Sequence, residues 1–275
     1  MSEVSSAFQA NRSAKAVTLI GFLLLYIPLV VLIVYSFLST INAEHPTRTW
    51  TLEWYSKVFS NRDIMQALSV SVWVAVWSTL LSTFLGTLAA LALERHEFPG
   101  KRFFDLLIHV PLILPEIVMG LSLLIWFVFL NITLGAFSII LAHTTFSLSY
   151  VVITVRARLH GFDRSLEEAA QDLGASPWMS FWRVTFPLLW PGIMSGALMA
   201  FTLSFDDFLM TFFTAGGDSD TLPIKIYSMV RHGVSPEVNA LSTLLLAVTF
   251  LVVLCVFNPF QGVVSALKKV RAARK

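Results

Sequence analysis

Three carboxylates lie where an apolar chain would ordinarily exclude charge. Asp206 and Asp207 stand side by side within the run ALMAFTLSFDDFLMTFF, and Glu116 follows Pro115 in the run HVPLILPEIVMG. A single acidic residue at the centre of a bilayer costs about 2.5 kcal/mol or more, and a second one beside it adds charge repulsion. Such residues are retained mainly where they face a pathway or pair with a partner, so these three are candidates for a functional site.

Phenylalanine rings accompany the two aspartates. Phe205 and Phe208 flank the pair, and three more rings lie within a few residues: Phe201, Phe212 and Phe213. Carboxylates attract cations, and aromatic faces accept ammonium groups within about 6 Å. The combination predicts a substrate pathway for an organic cation and disfavours sulfate, phosphate or molybdate, which the acids would repel.

Glu116 is assigned to the same pathway because of the prolines before it. Pro111 and Pro115 weaken the helical hydrogen-bond ladder, which is typical of helices that line cavities in transporters. Counted along straight helices at 1.5 Å per residue, the aspartates lie roughly 25 Å and Glu116 roughly 18 Å from the inner ends of their spans. All three are therefore expected in the outer half of the membrane.

The two aspartates are expected to have different roles. Neighbours on a helix point about 100° apart, and Asp207 falls about 20° from the face of Gly192 and Gly196, which form a G-x-x-x-G helix contact. One acid would therefore face that contact while the other reaches a cavity. Pro191 leaves open which of Asp206 and Asp207 faces the solute.

The rest of the chain predicts an all-α membrane protein forming a single domain over residues 1–275. The sequence is 56% hydrophobic and 13% charged, whereas soluble domains contain about 25% charged residues. Six stretches are long enough to cross a hydrocarbon core of about 30 Å. They lie near 16–38, 66–93, 104–130, 135–155, 189–213 and 239–260. The formal net charge of +2 does not suggest a nucleic-acid partner.

The basic residues predict the orientation in the lipid bilayer. With both termini inside, 14 of the 19 lysines and arginines lie on the inner side, as the positive-inside rule requires. The sequence therefore predicts an N-in, C-in protein with cytoplasmic termini. The basic tail 261–275 is expected to lie on anionic headgroups at the cytoplasmic surface.

The largest inner loop, 156–187, predicts two short helices joined by a turn. Ser165 and Glu168 have the spacing of a capping box, and Gly174 suits the left-handed residue that ends a helix. Ser176 and Pro177 predict the start of a second helix, which Pro187 is expected to end. The first helix carries an apolar face that must pack under the bundle or dock into another protein: Leu166, Ala169, Ala170 and Leu173.

This loop resembles the EAA loop of ABC importer permeases, whose pattern is E-A-A, three residues, G, nine residues, I-x-L-P. Glu168, Ala169, Ala170, Gly174 and Pro187 match, while Val184 and Phe186 replace the usual Ile and Leu. The resemblance implies that the loop couples the membrane helices to a cytoplasmic ATPase subunit, with Leu166 and Leu173 in the contact. The chain has no G-x-x-x-x-G-K-[ST] motif, so it is expected to be a permease without enzymatic activity, with ATP and Mg bound by two partner ATPase subunits.

Three separated segments indicate which family of ABC importer permeases the chain resembles. LSFDDF, PLILPEIVMGLSLL and DRSLEEAAQDLGA resemble permeases of the spermidine/putrescine importer family. This implies a bacterial inner-membrane location, a second permease subunit completing the translocation pore, and a periplasmic polyamine-binding protein that docks on the outer stretch 222–239. No cofactor is expected in this chain.

Alternatives remain at this point. A permease of the same class could carry ferric iron, thiamine or phosphonate. A channel or secondary transporter acting alone could use the inner loop for its own packing. A membrane-embedded enzyme has the least support, because His109 and His143 lie in different spans without a ligand cluster.

Overall fold

The structure is a computed structural model, which describes residues 12–39, 47–233 and 235–251. Every regular element within these ranges is helical, and the one extended pairing there is the isolated bridge between Leu38 and Trp50. The helices are α1 Arg12–Ser36, α2 Glu53–Ser60, α3 Arg62–Arg95, α4 Lys101–Ile113, α5 Glu116–Phe129, α6 Ala136–His160, α7 Ser165–Asp172, α8 Pro177–Ser180, α9 Phe186–Phe205, α10 Leu209–Thr214, α11 Leu222–Arg231 and α12 Pro236–Leu251.

Four of these helical segments are long and apolar enough to cross a membrane by themselves. They are Val17–Ser36 in α1, all of α3, all of α6, and the segment Pro177–Phe205 that joins α8 to α9. The first three of these segments agree with the predicted first, second and fourth spans, and Pro177–Phe205 overlaps the predicted fifth span, 189–213. The predicted sixth span begins in α12, but residues 252–260 and the basic tail 261–275 lie outside the described residues.

The predicted third span, 104–130, is not one straight helix. It consists of α4 and α5, which are bent by 116° at the short break between them. Leu114 has an extended backbone (φ −73°, ψ 138°) because the ring of a following proline disfavours helical geometry, and Pro115 itself has no N–H to donate. The depth expected for Glu116 was counted along a straight helix, so that count does not apply to the bent pair.

The predicted fifth span also differs from an ideal helix at both ends. The helix continues past Pro187 instead of ending there, because Phe181–Thr185 form a π-helical turn and Pro187 lies in the first turn of α9. A proline in a first helical turn needs no intrahelical N–H partner. At the other end α9 stops at Phe205, so the aspartates lie in a break before α10 and not within a continuous helix.

The described residues fall into two compact units, one within Met1–Arg62 and Ser228–Lys275 and the other Asp63–Tyr227. In the first unit, Trp54 Nε1 donates to the carbonyl of Leu38, and Tyr55 hydrogen-bonds Ser36 at 2.7 Å, so α2 is fixed to the end of α1. The carboxylates and the inner loop belong to the second unit.

The second unit is built around α6. A Cβ on Gly192 would lie 2.9 Å from Cβ of Arg158, and one on Gly196 would lie 3.4 Å from Cα of Val151, so α9 packs closely on α6. This confirms the predicted glycine contact. Gly86 brings α3 onto the same helix, because a Cβ there would lie 2.8 Å from Val151 Cγ1. Small residues allow this approach without a hydrophobic driving force between helices in lipid.

Candidate transport site and coupling surface

Asp207 stabilises the first turn of α10. Its Oδ2 atom accepts hydrogen bonds from the backbone N–H of Thr211 at 2.8 Å and from the Thr211 hydroxyl at 2.9 Å, and Oδ1 accepts from the N–H of Met210 at 3.3 Å. The first N–H groups of a helix have no partner within it, so this carboxylate supplies one. Asp207 therefore restarts the helix after the break.

Asp207 also belongs to a polar network that includes side chains of neighbouring helices. His143 of α6 is buried, and its Nε2 lies 3.1 Å from Asp207 Oδ2 while its Nδ1 lies 2.7 Å from the Ser204 hydroxyl. Ser78 of α3 continues the chain by donating to Ser204 at 2.8 Å. Buried polar groups in membrane helices require such partners, so Asp207, with its side chain 8% exposed, lies in a contact between three helices.

Asp206 differs from its neighbour. Its backbone N–H donates to the carbonyl of Thr202 at 3.2 Å and ends α9, while the residue is exposed. The helical-wheel angles expected for the pair do not apply, because the helix ends at Phe205. Of the two acids, the helix contact contains Asp207, and Asp206 is the accessible one.

Glu116 lies beside this break although about 90 residues separate it from the aspartates in sequence. It is the first residue of α5, it is exposed, and α5 packs against α10, whose first turn accepts its cap from Asp207. The approach depends on Gly120, where a Cβ would lie 2.9 Å from Phe213 Cδ2 and 3.4 Å from the carbonyl oxygen of Leu209. Two helix breaks, one at Leu114 and Pro115 and one after Phe205, therefore precede two helices that pack on each other.

The predicted rings lie around the same break. Phe205 stacks on Phe201 with centroids 5.8 Å apart, and Phe208 lies 5.7 Å from Phe212. Phe208 also contacts Tyr227 of α11 at 4.8 Å, a ring that the sequence analysis missed. Tyr227 is adjacent in space because Ser71 of α3 accepts the N–H of Leu222 at 2.8 Å and fixes the start of α11.

The inner loop begins later in the sequence than expected, and the N-terminus of its first helix is capped by a different residue. Helix α6 extends to His160, five residues beyond the predicted boundary, and α7 follows. The expected capping box of Ser165 and Glu168 is absent from α7; instead Asp163 Oδ1 accepts the N–H of Ser165 at 3.0 Å. Hydrogen bonds from the backbone and then the side chain of Ser165 lower the pKa of Asp163.

The turn between α7 and α8 has the predicted chemistry. Gly174 has a φ of +90°, and its N–H donates to Gln171 while that of Ala175 donates to Ala170, the pattern of a Schellman motif. Ser176 caps α8 by accepting the N–H of Met179 at 3.3 Å, with Pro177 in the first turn. Glycine is favoured at such a φ because it has no Cβ.

The apolar face of the loop is not buried within this chain. Leu166 is 47% exposed, Leu173 is 90% exposed and Trp178 is 71% exposed, while Glu168 and Ala169 are exposed beside them. Exposed apolar surface of this kind marks a contact with another molecule. The sequence left open whether this face packs under its own bundle or docks into another protein. Within the described residues, the face does not pack under the bundle.

Long apolar helices, carboxylates beside two helix breaks and an exposed pair of short helices are together typical of the transmembrane subunit of a transporter. Residues 82–269 match the family described as the binding-protein-dependent transport system inner membrane component. The chain belongs to this family.

Relatives and solved structures agree with this assignment. The chain is 43% identical over 84% of its length to the spermidine/putrescine transport system permease protein PotC of Escherichia coli strain K12, covering 87% of that protein. It is 40% identical, with 84% of each chain covered, to the putrescine transport system permease protein PotI of the same strain. The fold matches a crystal structure of a bacterial ABC transporter involved in alginate import with a TM-score of 0.69 at 18% identity, covering 89% of this chain and 94% of the other.

Proposed function

We propose that this chain is the permease subunit of an ATP-driven ABC importer for polyamines such as putrescine and spermidine. The observation that carries the proposal is the group of two exposed carboxylates, Asp206 and Glu116, beside aromatic rings at two adjacent helix breaks. Its similarity to permease proteins of spermidine/putrescine and putrescine transport systems supports the same substrate class.

The three acidic residues have different roles in the proposed pathway. Asp206 and Glu116 are accessible and attract the ammonium groups of the polyamine, and Phe205 and Phe208 present ring faces to the same cation. Asp207 has its oxygens occupied by four donors, so it acts on the cargo only through its charge and through the geometry of the break. The substrate pathway therefore consists of Asp206, Glu116, Phe205 and Phe208, with Asp207 positioning it.

Coupling to ATP hydrolysis uses the inner loop. Two cytoplasmic ATPase subunits bind ATP and Mg, and one of them receives Leu166, Leu173, the exposed residues Glu168 and Ala169, and the half-buried Ala170. Gly174 sets the sharp turn that presents this surface, and Pro187 lies where the loop enters α9. Closure of the ATPase dimer moves the loop and switches access of the pathway from outside to inside.

The assembly is a heterodimeric pore in the bacterial inner membrane. A second homologous permease forms the other half, and a periplasmic polyamine-binding protein delivers cargo to the outer surface that includes α11. The six apolar stretches support six spans, and the basic residues of the predicted inner segments support both termini in the cytoplasm. A polyamine entering an inside-negative cell gains about 2.3 kcal/mol per charge per 100 mV, so an ungated pathway would leak.

A substrate panel tests this function. The transporter is purified through a tag on this chain, reconstituted with its binding protein, and assayed for labelled putrescine uptake in competition with spermidine, ferric iron, thiamine and a phosphonate. Polyamines alone are expected to compete, and Asp206→Asn combined with Glu116→Gln is expected to reduce uptake while leaving binding of putrescine to the isolated binding protein intact. Competition by ferric iron, thiamine or the phosphonate, or full uptake by the double variant, would contradict the assignment.

A further inference from the structure

The inner end of α3 carries two adjacent residues of opposite charge that reach different elements. Glu94 accepts from Arg156 Nε and faces His160 Nδ1 of α6, each at 3.4 Å. Arg95 turns the other way, and its Nη2 lies 2.5 Å from Oε1 of Glu167 in the inner loop. Because neighbours on a helix point about 100° apart, one helical turn of α3 contacts both α6 and α7.

Glu167 connects three separate segments. Besides Arg95, its carboxylate accepts a hydrogen bond from the hydroxyl of Thr185 in the π-helical turn, and its backbone carbonyl accepts from Ser180 of α8 at 3.5 Å. Thr185 and Ser180 are buried, and the side chains of Arg95 and Glu167 are 23% and 18% exposed. A partly buried, hydrogen-bonded ion pair of this kind holds its partners more firmly than an exposed one.

The two neighbouring glutamates of α7 therefore face opposite ways. Glu168 is exposed on the surface proposed for the ATPase, whereas Glu167 points into this chain. Helices α6 and α9 adjoin the loop in sequence and follow its movement through the backbone. Helix α3 is not joined to the loop by neighbouring backbone, since 69 residues separate the end of α3 at Arg95 from the start of α7 at Ser165.

We propose that Glu167 is a positioning residue that delivers movement of the coupling loop to α3 through Arg95. This inference rests on the coupling role given to the loop under the proposed function. Helix α3 contributes Ser78 to the network behind Asp207, so a movement passed to its inner end reaches the helix contact at the carboxylates. Loss of the tie separates ATP hydrolysis from transport without altering the surface that docks on the ATPase.

The test measures putrescine moved per ATP hydrolysed in proteoliposomes containing the whole transporter. Glu167→Ala and Arg95→Ala are each expected to lower this ratio about 2- to 30-fold with hydrolysis retained. The charge exchange Glu167→Arg with Arg95→Glu is expected to recover part of it. The matched control is Glu97→Ala, which removes a carboxylate of the same region whose one ion pair within the described residues is with Lys101, four residues away at 2.6 Å.

A distance measurement makes the result independent of the cargo. Spin labels at Asp172 of α7 and Leu88 of α3, both exposed, are compared with and without vanadate-trapped nucleotide in a Cys255→Ser background. The tie predicts one narrow distance in both states for the parent and a broadened or shifted one in Glu167→Ala.

The possible outcomes separate the two proposals. A parent transporter that hydrolyses ATP but moves no putrescine contradicts the proposed substrate, while the label distance still tests the tie. An unchanged transport ratio and an unchanged distance in Glu167→Ala would overturn the role of Glu167. If Glu167→Ala fails to assemble, the charge exchange decides. Recovery of the transport ratio in the exchanged protein supports the tie. If the exchanged protein also fails while Arg95→Ala keeps a normal transport ratio, the tie is overturned.

Discussion

The contrast between Asp207 and Asp206 leads to a prediction with opposite outcomes at neighbouring residues. Asp207→Asn removes the negative charge that faces His143, two backbone N–H groups and the Thr211 hydroxyl. Asp206→Asn changes an exposed carboxylate that takes no part in this hydrogen-bond network. We expect the first variant to lose mainly stability and the second to lose mainly transport.

The size of the effect follows from the donors around Asp207. Three of them meet at Oδ2, so the asparagine must turn its oxygen there and leave its amide group facing the N–H of Met210. Hydrogen bonds to a charged acceptor contribute about 1.5–3 kcal/mol each. With some bonds retained to the neutral oxygen, the substitution is expected to cost about 2–4 kcal/mol. The Asp206 variant is expected to change stability by about 0.5 kcal/mol or less.

Thermal unfolding of the purified transporter in nanodiscs measures the difference. Since 1 kcal/mol shifts the midpoint of a domain of 150–250 residues by about 2–4 °C, Asp207→Asn should lower it by on the order of 5–10 °C and Asp206→Asn should leave it nearly unchanged. Putrescine uptake per folded complex should show the reverse order. Equal midpoints for the two variants, or a larger loss of stability in Asp206→Asn, would refute the division of roles.

Three further outcomes are expected. Gly192→Val should weaken the packing of α9 on α6 and lower the midpoint, because even its Cβ would lie 2.9 Å from Arg158, whereas Gly161→Ala meets nothing within 4 Å and serves as the control; equal midpoints would argue against the glycine contact. Leu173→Asp should weaken association with the ATPase subunit by about tenfold or more in a titration, since a buried leucine contributes about 1.5–3 kcal/mol; unaltered affinity would remove Leu173 from the interface. Gly174→Ala should destabilise the loop by about 1–2 kcal/mol, because a φ of +90° is unfavourable for residues with a Cβ, which hydrogen exchange of the α7 amides can detect; unchanged exchange would contradict this.

Hydrophobic length predicted the helices well where no proline or charge interrupts them. The first, second and fourth spans agree closely with α1, α3 and α6, because a run of about 20 apolar residues has few other structures available in a membrane. The G-x-x-x-G contact and the Gly174 turn were also predicted, since each depends on a local property of glycine. These features are determined by residues near one another in sequence.

The breaks were the part that the sequence analysis missed. Pro115 indicated a weakened helix, but a 116° bend depends on how α5 packs against α10. The interruption after Phe205 depends on Asp207 finding His143 and Thr211, which requires knowing that α6 lies beside it. An aspartate and a histidine in separate apolar spans were a usable signal, because each needs a polar partner in lipid. The Arg95–Glu167 tie had no such signal.

ATP-dependent uptake of labelled putrescine is the most direct test of the central claim. Proteoliposomes contain the complete transporter, with the binding protein outside and ATP with Mg inside, and uptake is followed with and without hydrolysable ATP. Accumulation that requires both ATP and the binding protein, and that falls in the Asp206→Asn, Glu116→Gln variant, is the predicted result. Uptake that continues without ATP, or ATP hydrolysis with no movement of putrescine or spermidine, would contradict a polyamine importer.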